Sequence, residues 1–75
     1  MIKNITLEKE DLAHMHDVIY DVIDREPTDE EILRVWNALP EHIRGDAIQW
    51  GCDDTVFRDN MYVWLKKNLP TVNLP

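Results

Sequence analysis

Residues 47 to 60, which read AIQWGCDDTVFRDN, decide the fold of this chain. Gly51 is the residue type that most easily takes the left-handed conformation in which helices end. Asp53 follows two residues later, and an aspartate is a good cap for the start of another helix. We therefore expect one helix to end near residue 50 and the next to begin near residue 54. The side chains expected to lock these two helices together are Ala47, Trp50 and Phe57.

Apolar residues recur at helical spacing along the rest of the chain, and local signals mark where further helices begin. Glu8 or Thr6 is the expected cap of a first helix, whose inward face carries Leu12, Met15, Ile19, Val22 and Ile23. Thr28 and Glu31 form a capping box, and Pro40 suits the first turn of a third helix. The sequence therefore predicts an all-α domain, residues 1–75, with four helices at about 9–25, 29–38, 41–50 and 54–68. Extended segments at 1–7 and 69–75, the second containing prolines, are expected to flank them.

Each of the last three helices carries apolar residues at i, i+4 and i+7. The three sets are Ile32, Trp36 and Leu39, then Ile43, Ala47 and Trp50, then Phe57, Met61 and Trp64. Each set places a tryptophan on the inward face of its helix, and large aromatic side chains dominate small cores. We expect the three tryptophans to share one aromatic-rich core.

The composition limits the class of protein. Fifteen acidic residues against eight basic ones give a net charge of −7 in 75 residues. This charge repels phosphate and membrane surfaces and attracts basic partners. Cys52 is the single cysteine, which excludes an internal disulfide and a cysteine-based zinc site. The lone cysteine also favours a reducing, cytoplasmic location, and with no apolar run of about 18 residues we expect a soluble protein without a membrane partner.

The stretch from 43 to 61 resembles the helix-turn-helix of DNA-binding proteins. Ala47 stands four residues before Gly51, and the apolar residues Cys52 and Phe57 follow. The resemblance implies that the last helix enters the major groove with its first turns facing the bases. Asn60 departs from the pattern, because an apolar core residue is usual there. A helix-turn-helix DNA-binding regulator is therefore the alternative function for this chain.

Charge argues against that alternative. The first turns of the last helix carry Asp53, Asp54 and Asp59 and only one cation, Arg58. Affinity for DNA comes largely from lysine and arginine residues that displace counterions from the phosphates. The other basic residues are scattered among acidic ones and form no basic stripe. We therefore interpret the motif as two helices that pack against each other and do not bind DNA.

A row of carboxylates predicts a different partner. Glu10, Asp17, Asp21 and Asp24 fall on one arc of the first helix, opposite its apolar face. If the first and last helices are neighbours, Asp53, Asp54 and Asp59 extend the row. Regularly spaced carboxylates imitate phosphates, so the expected partner is a basic, nucleic-acid-binding protein. The simpler alternative is a solvated helix face.

The residues favour neither catalysis nor a metal or cofactor site. His14 and His16 are two residues apart and point about 200° away from each other on a helix, so they cannot share an ion. The chain has no serine, and Cys52 has no adjacent base in the sequence. Two glycines are too few for a phosphate-binding loop. We predict a protein that is not an enzyme and has no cofactor.

The last helix has more apolar residues than one buried face requires. Val56, Tyr62 and Val63 are the surplus, and they are covered by the first helix or the tail, or else form a homodimer or partner interface. The predicted function is a non-enzymatic acidic protein-interaction module, a regulator or an inhibitor, that binds a basic partner. The length and acidity are also compatible with a phage or prophage accessory protein, although no motif carries that interpretation.

Overall fold

The computed structural model describes residues 7–72 and Leu74, and this part of the chain is all-α. Its helices are α1 (Lys9–Ile23), α2 (Asp29–Ala38), α3 (Glu41–Trp50) and α4 (Thr55–Val72). The predicted class, the four helices and the bounds of α2 and α3 are confirmed. α4 packs against each of the other three helices, and α1 also packs against α2. The predicted extended start lies, up to residue 6, outside the described residues.

α1 begins at the predicted cap and ends earlier than predicted. The backbone N–H of Glu8 donates to Asp11 Oδ2 at 3.0 Å. At the other end, Asp24 has φ 59° and ψ 34°, and its N–H donates to the Tyr20 carbonyl at 2.8 Å. This left-handed residue stops the helix at Ile23 instead of 25, so Asp24 is the C-cap of α1 and not a member of its last turn.

The predicted capping box of α2 is present and carries an additional ion pair. Glu31 N–H donates to Thr28 Oγ1 at 3.1 Å, and Thr28 N–H donates to Glu31 Oε1 at 2.9 Å. The Arg25 guanidinium donates to both carboxylate oxygens of Glu31, at 3.0 and 2.6 Å. The segment between α1 and α2 is therefore fixed by hydrogen bonds to one side chain.

The turn between α3 and α4 differs by one residue from the prediction. Gly51 has a positive φ, 98°, with an extended ψ of 157°, and the Asp54 N–H donates back to its carbonyl at 3.2 Å. This turn places Asp54, and not Asp53, at the cap, where its Oδ2 accepts from the Phe57 N–H at 3.0 Å. α4 accordingly begins at Thr55.

The tryptophans do not share one core, and that prediction is wrong. Trp36 is buried and packs edge-on against Phe57, with ring centroids 6.4 Å apart. Trp64 is half-buried, whereas Trp50 is 62% exposed. Cys52, from the turn after α3, is buried in the core instead. Periodicity alone does not reveal that the last turn of α3 leaves its tryptophan outside the core.

The predicted extended tail is wrong over residues 69–72, which are helical, whereas Leu74 lies outside the helix. α4 continues to Val72 through a kink at Asn68, which has non-helical angles of φ −121° and ψ 18°. The Asn68 side chain donates to the Trp64 carbonyl at 2.8 Å, and the kink accommodates Pro70 in the turn that follows. Burial of Val72 in the core holds this last turn in place.

Candidate functional site

The acidic row of α1 is exposed to solvent. Asp17 and Asp21 stand one turn apart on the outer face of the helix, and Glu10 lies two turns before Asp17. Asp24 is exposed too, but it lies in the left-handed cap and so leaves the arc of the helix. The His16 imidazole lies beside this row, with Nδ1 3.6 Å from Asp17 Oδ1. The row predicted from the sequence therefore consists of three carboxylates on the helix and one at its end.

A groove joins this acidic row to α4. The groove has a volume of about 160 Å³ and lies between α1 and α4; we call it the α1–α4 groove. Asp21 from α1 and Asp59 from α4 both line it. The expected extension of the row onto the last helix is thus realised through Asp59. The remaining lining residues are Val18, Thr55, Arg58 and Tyr62.

The other two aspartates of the predicted site lie elsewhere. Asp54 does not line the groove, and its carboxylate is engaged as the cap of α4. Asp53 is exposed in the turn, and its side chain lies over Gly51. Of the seven candidate carboxylates, the structure therefore brings Asp21 and Asp59 into one groove and leaves the others outside it.

Arg58 is a site residue that the sequence reasoning missed. In the helix-turn-helix interpretation Arg58 faces a bound DNA, but its side chain is half-buried and lines the α1–α4 groove. Its Nε is buried and has no hydrogen-bond partner among the described residues. A signal was available, because Thr55, Arg58 and Tyr62 are spaced three and four residues apart and so share a face of α4. The groove is therefore lined by one cationic side chain as well as by two carboxylates.

The three surplus apolar residues of α4 separate into two places. Val56 is 57% exposed and Val63 is 51% exposed, so neither α1 nor the described part of the tail covers them. Tyr62 is half-buried, packs against the core and lines the α1–α4 groove. The Lys66 Nζ lies 5.3 Å from the centre of the Tyr62 ring. Of these three residues, Val56 and Val63 therefore remain as uncovered apolar surface.

Cys52 is packed as a core side chain. Burial raises the pKa of its thiol to about 12, and the nearby Asp11 carboxylate adds to the increase. The thiol is therefore protonated at neutral pH, the state in which cysteine is a poor nucleophile. Within residues 7–72, no three His, Cys, Asp or Glu side chains are grouped as metal ligands would be.

Comparison with known proteins does not extend this description. No protein-family model matches the chain, and no curated protein and no solved structure is similar to it. None of the described helices combines the length and the apolar character that crossing a membrane requires. A function for this chain must therefore be inferred from its own residues.

Proposed function

We propose that this chain is a non-enzymatic interaction module that binds a basic protein through the α1–α4 groove. The observation that carries the proposal is that Asp21 and Asp59, from two different helices, line the same groove. Asp17 extends the acidic surface one turn along α1. A guanidinium or ammonium group of the partner would lie between the two carboxylates and donate charge-assisted hydrogen bonds to them.

The charge of the whole chain supports the same partner class. A net charge of −7 attracts a basic protein beyond contact distance, although screening limits this attraction to about 8 Å at physiological salt. Arg58 adds selectivity, because its positive charge in the same groove favours a partner that presents a carbonyl or carboxylate oxygen beside its own cation. A regulator or inhibitor that covers the nucleic-acid-binding surface of its target would present carboxylates in this way.

Replacing the two groove carboxylates tests the proposal. We expect the double variant Asp21→Asn, Asp59→Asn to bind a fluorescent arginine-rich peptide at least about tenfold more weakly, the range expected when hydrogen bonds to a charged group are lost. Fluorescence anisotropy at physiological salt measures this affinity. The matched control is Glu26→Gln, Glu30→Gln, which removes the same charge from exposed positions outside the groove. Equal weakening in both variants would show that the groove makes no specific contribution.

DNA binding through α4 is the competing proposal and has its own test. The exposed carboxylates of Asp53 and Asp59 flank the first turns of α4 and oppose phosphate. We expect no gel shift of a random-sequence duplex even at low salt. A shift that weakens steeply as salt increases would support the helix-turn-helix regulator instead, since counterion release produces that dependence.

A further inference from the structure

α4 presents a narrow row of exposed side chains on the side opposite its buried face. Val56, Asn60, Val63 and Lys67 are spaced by four, three and four residues, which keeps them within an arc of about 60°. All four are exposed, whereas Phe57, Met61 and Leu65 of the same helix are fully buried. We call this row the outer stripe. Its two valines are more than half exposed, whereas Val18, Val35 and Val72 are buried.

α3 runs beside the outer stripe in the opposite direction. The Asn60 side chain donates to Asp46 Oδ2 of α3 at 3.3 Å. A second groove, of about 320 Å³, lies between earlier residues of α3 and later residues of α4, including His42, Val63 and Lys67. We call it the α3–α4 groove. Early α3 is therefore next to late α4, and late α3 is next to early α4.

This direction places an exposed tryptophan at one end of the outer stripe and a groove at the other. Trp50 follows Asp46 by one helical turn, on the same side of α3, and so lies toward the start of α4. It is 62% exposed, the largest exposure among the large apolar side chains described. The α3–α4 groove lies toward the end of α4, and Trp64 is part of its lining.

The charges along α4 are arranged from acidic to basic. Asp53, Asp54 and Asp59 stand at its start, and Lys66 and Lys67 stand near its end. Asp53 precedes Asn60 by seven residues, and Lys67 follows Asn60 by seven. A second α4 laid antiparallel, with a two-fold axis beside Asn60, would therefore bring each acidic end to a basic end. The same operation would bring Val56 of one copy near Val63 of the other.

We propose that the outer stripe is the interface of a two-fold symmetric homodimer. In this dimer α4 packs antiparallel against α4 of a second copy, and Trp50 of each chain enters the α3–α4 groove of its partner. Both surfaces are supplied by one chain, which is the condition for a self-complementary interface. Lys67 at the groove is suited to contact the incoming indole through its π face.

The dimer leaves the α1–α4 groove open. Thr55, Arg58 and Tyr62 point from the flank of α4 toward α1, about a quarter turn or more away from the outer stripe, and Asp59 lies between that flank and Val63. Dimerisation would thus present two acidic grooves without covering either. No residue of the outer stripe lines the α1–α4 groove, so substitutions at Val63 and Trp50 test the dimer without changing either groove carboxylate. The interface is small, so we expect it to dissociate at about micromolar concentrations.

Sedimentation equilibrium over a wide concentration range tests the interface. We expect a monomer–dimer equilibrium whose dissociation constant increases at least about tenfold in Val63→Asp and in Trp50→Ala. Leu33→Asp is the control, because it places the same charge at an exposed apolar position of α2 and should leave the equilibrium unchanged. Circular dichroism verifies that each variant keeps its helices. A wild-type monomer at about 0.5 mM, well above the expected constant, or a dimer insensitive to both substitutions, would overturn the proposal.

Charge exchange tests the antiparallel arrangement separately. Asp53→Lys and Lys67→Asp should each weaken the dimer, because each places like charges at both ends of the interface. The double variant Asp53→Lys, Lys67→Asp restores opposite charges and should recover most of the lost affinity. If the loss of dimerisation free energy in the double variant equalled the sum of the losses in the single variants, the antiparallel pairing would be excluded. This conclusion would hold even if Val63→Asp had disrupted the dimer.

Discussion

Glu31 differs from the other described carboxylates because it is buried. Its side chain accepts from the Arg25 guanidinium and from the Thr28 N–H, so it links the α1–α2 segment to the first turn of α2. The sequence predicted its part in the capping box, since that motif is local. The sequence did not predict the pairing with Arg25, because the geometry of the intervening segment decides which cation reaches the carboxylate.

The pairing makes the stability of the fold depend on pH. The hydrogen bond from Arg25, and next the one from the Thr28 N–H, lower the pKa of Glu31 from 4.5 to about 2. A lowered pKa stabilises the folded state above the unfolded value of 4.5, and this contribution is lost as the pH falls toward 2. We predict that Glu31→Gln lowers the free energy of unfolding at pH 7. Its difference from wild type should shrink between pH 4.5 and 2.

Urea unfolding at several pH values measures this effect. Glutamine keeps an oxygen for the Thr28 N–H but replaces the oxygen that accepts from Arg25 Nη2, so the variant removes the charge and the two-point pairing with Arg25. Glu30→Gln is the control, because Glu30 is 85% exposed and lies 3.6 Å from Arg34 one turn away, in a pair of the kind that contributes little. A Glu31→Gln profile that stays parallel to wild type across the acid range would contradict the assigned role.

At the scale of elements, local signals predicted where helices begin better than where they end. The Thr28–Glu31 box and Pro40 gave the starts of α2 and α3 correctly, because the groups that satisfy a helix start lie within a few residues. The end of α1 depended on the left-handed Asp24, and the extension of α4 depended on burial of Val72. Burial of Val72 requires packing between segments distant in sequence, and a left-handed aspartate carries no glycine to mark it in the sequence.

The two groove carboxylates were predictable from the sequence, but Arg58 and the geometry of the groove were not. Helical spacing put Asp17 and Asp21 on one face, and the structure confirms that both are exposed. The meeting of Asp21 with Asp59 depended on which helices are neighbours, which periodicity does not specify. The wrong prediction for Trp50 has the same cause. Helical spacing placed Trp50 on the inward face of α3 but did not show that the last turn of α3 extends beyond the core.

The turn between α3 and α4 yields a prediction at this scale. Gly51 has φ +98°, a conformation that side chains rarely adopt, and an added Cβ would lie 2.7 Å from Asp53 Oδ1. We predict that Gly51→Ala destabilises the fold by about 1–3 kcal/mol, the usual cost of a strained backbone position. Thermal unfolding followed by circular dichroism measures it.

Gly45 provides a control for that substitution, because alanine is expected to stabilise the fold at this position. Gly45 lies inside α3, where alanine is favoured over glycine by about 0.5–1 kcal/mol. Gly45→Ala should therefore raise the melting temperature while Gly51→Ala lowers it. If Gly51→Ala were neutral, the turn would have to adopt another conformation than the one described.

At the scale of the whole molecule, the charge that attracts a basic partner acts against the fold. Asp17 and Asp21 repel each other at i, i+4, and Asp21 and Asp24 stand at the negative end of the α1 dipole. We predict that Asp17→Asn, Asp21→Asn, Asp24→Asn, which changes the net charge from −7 to −4 (−7 + 3), stabilises the fold by about 1 kcal/mol. Asparagine also tolerates the left-handed conformation of residue 24.

Salt provides the matching measurement, because it screens repulsion without changing any side chain. The melting temperature of the wild type should rise between low salt and about 0.5 M NaCl, and that of the triple variant should rise less. A wild-type melting temperature that falls with salt would mean that favourable ion pairs outweigh the repulsion. A melting temperature that rises with salt would instead show that repulsion within the row of carboxylates destabilises the isolated chain. A basic partner seated on the α1–α4 groove would neutralise that repulsion, and its binding should therefore stabilise the wild type more than the triple variant.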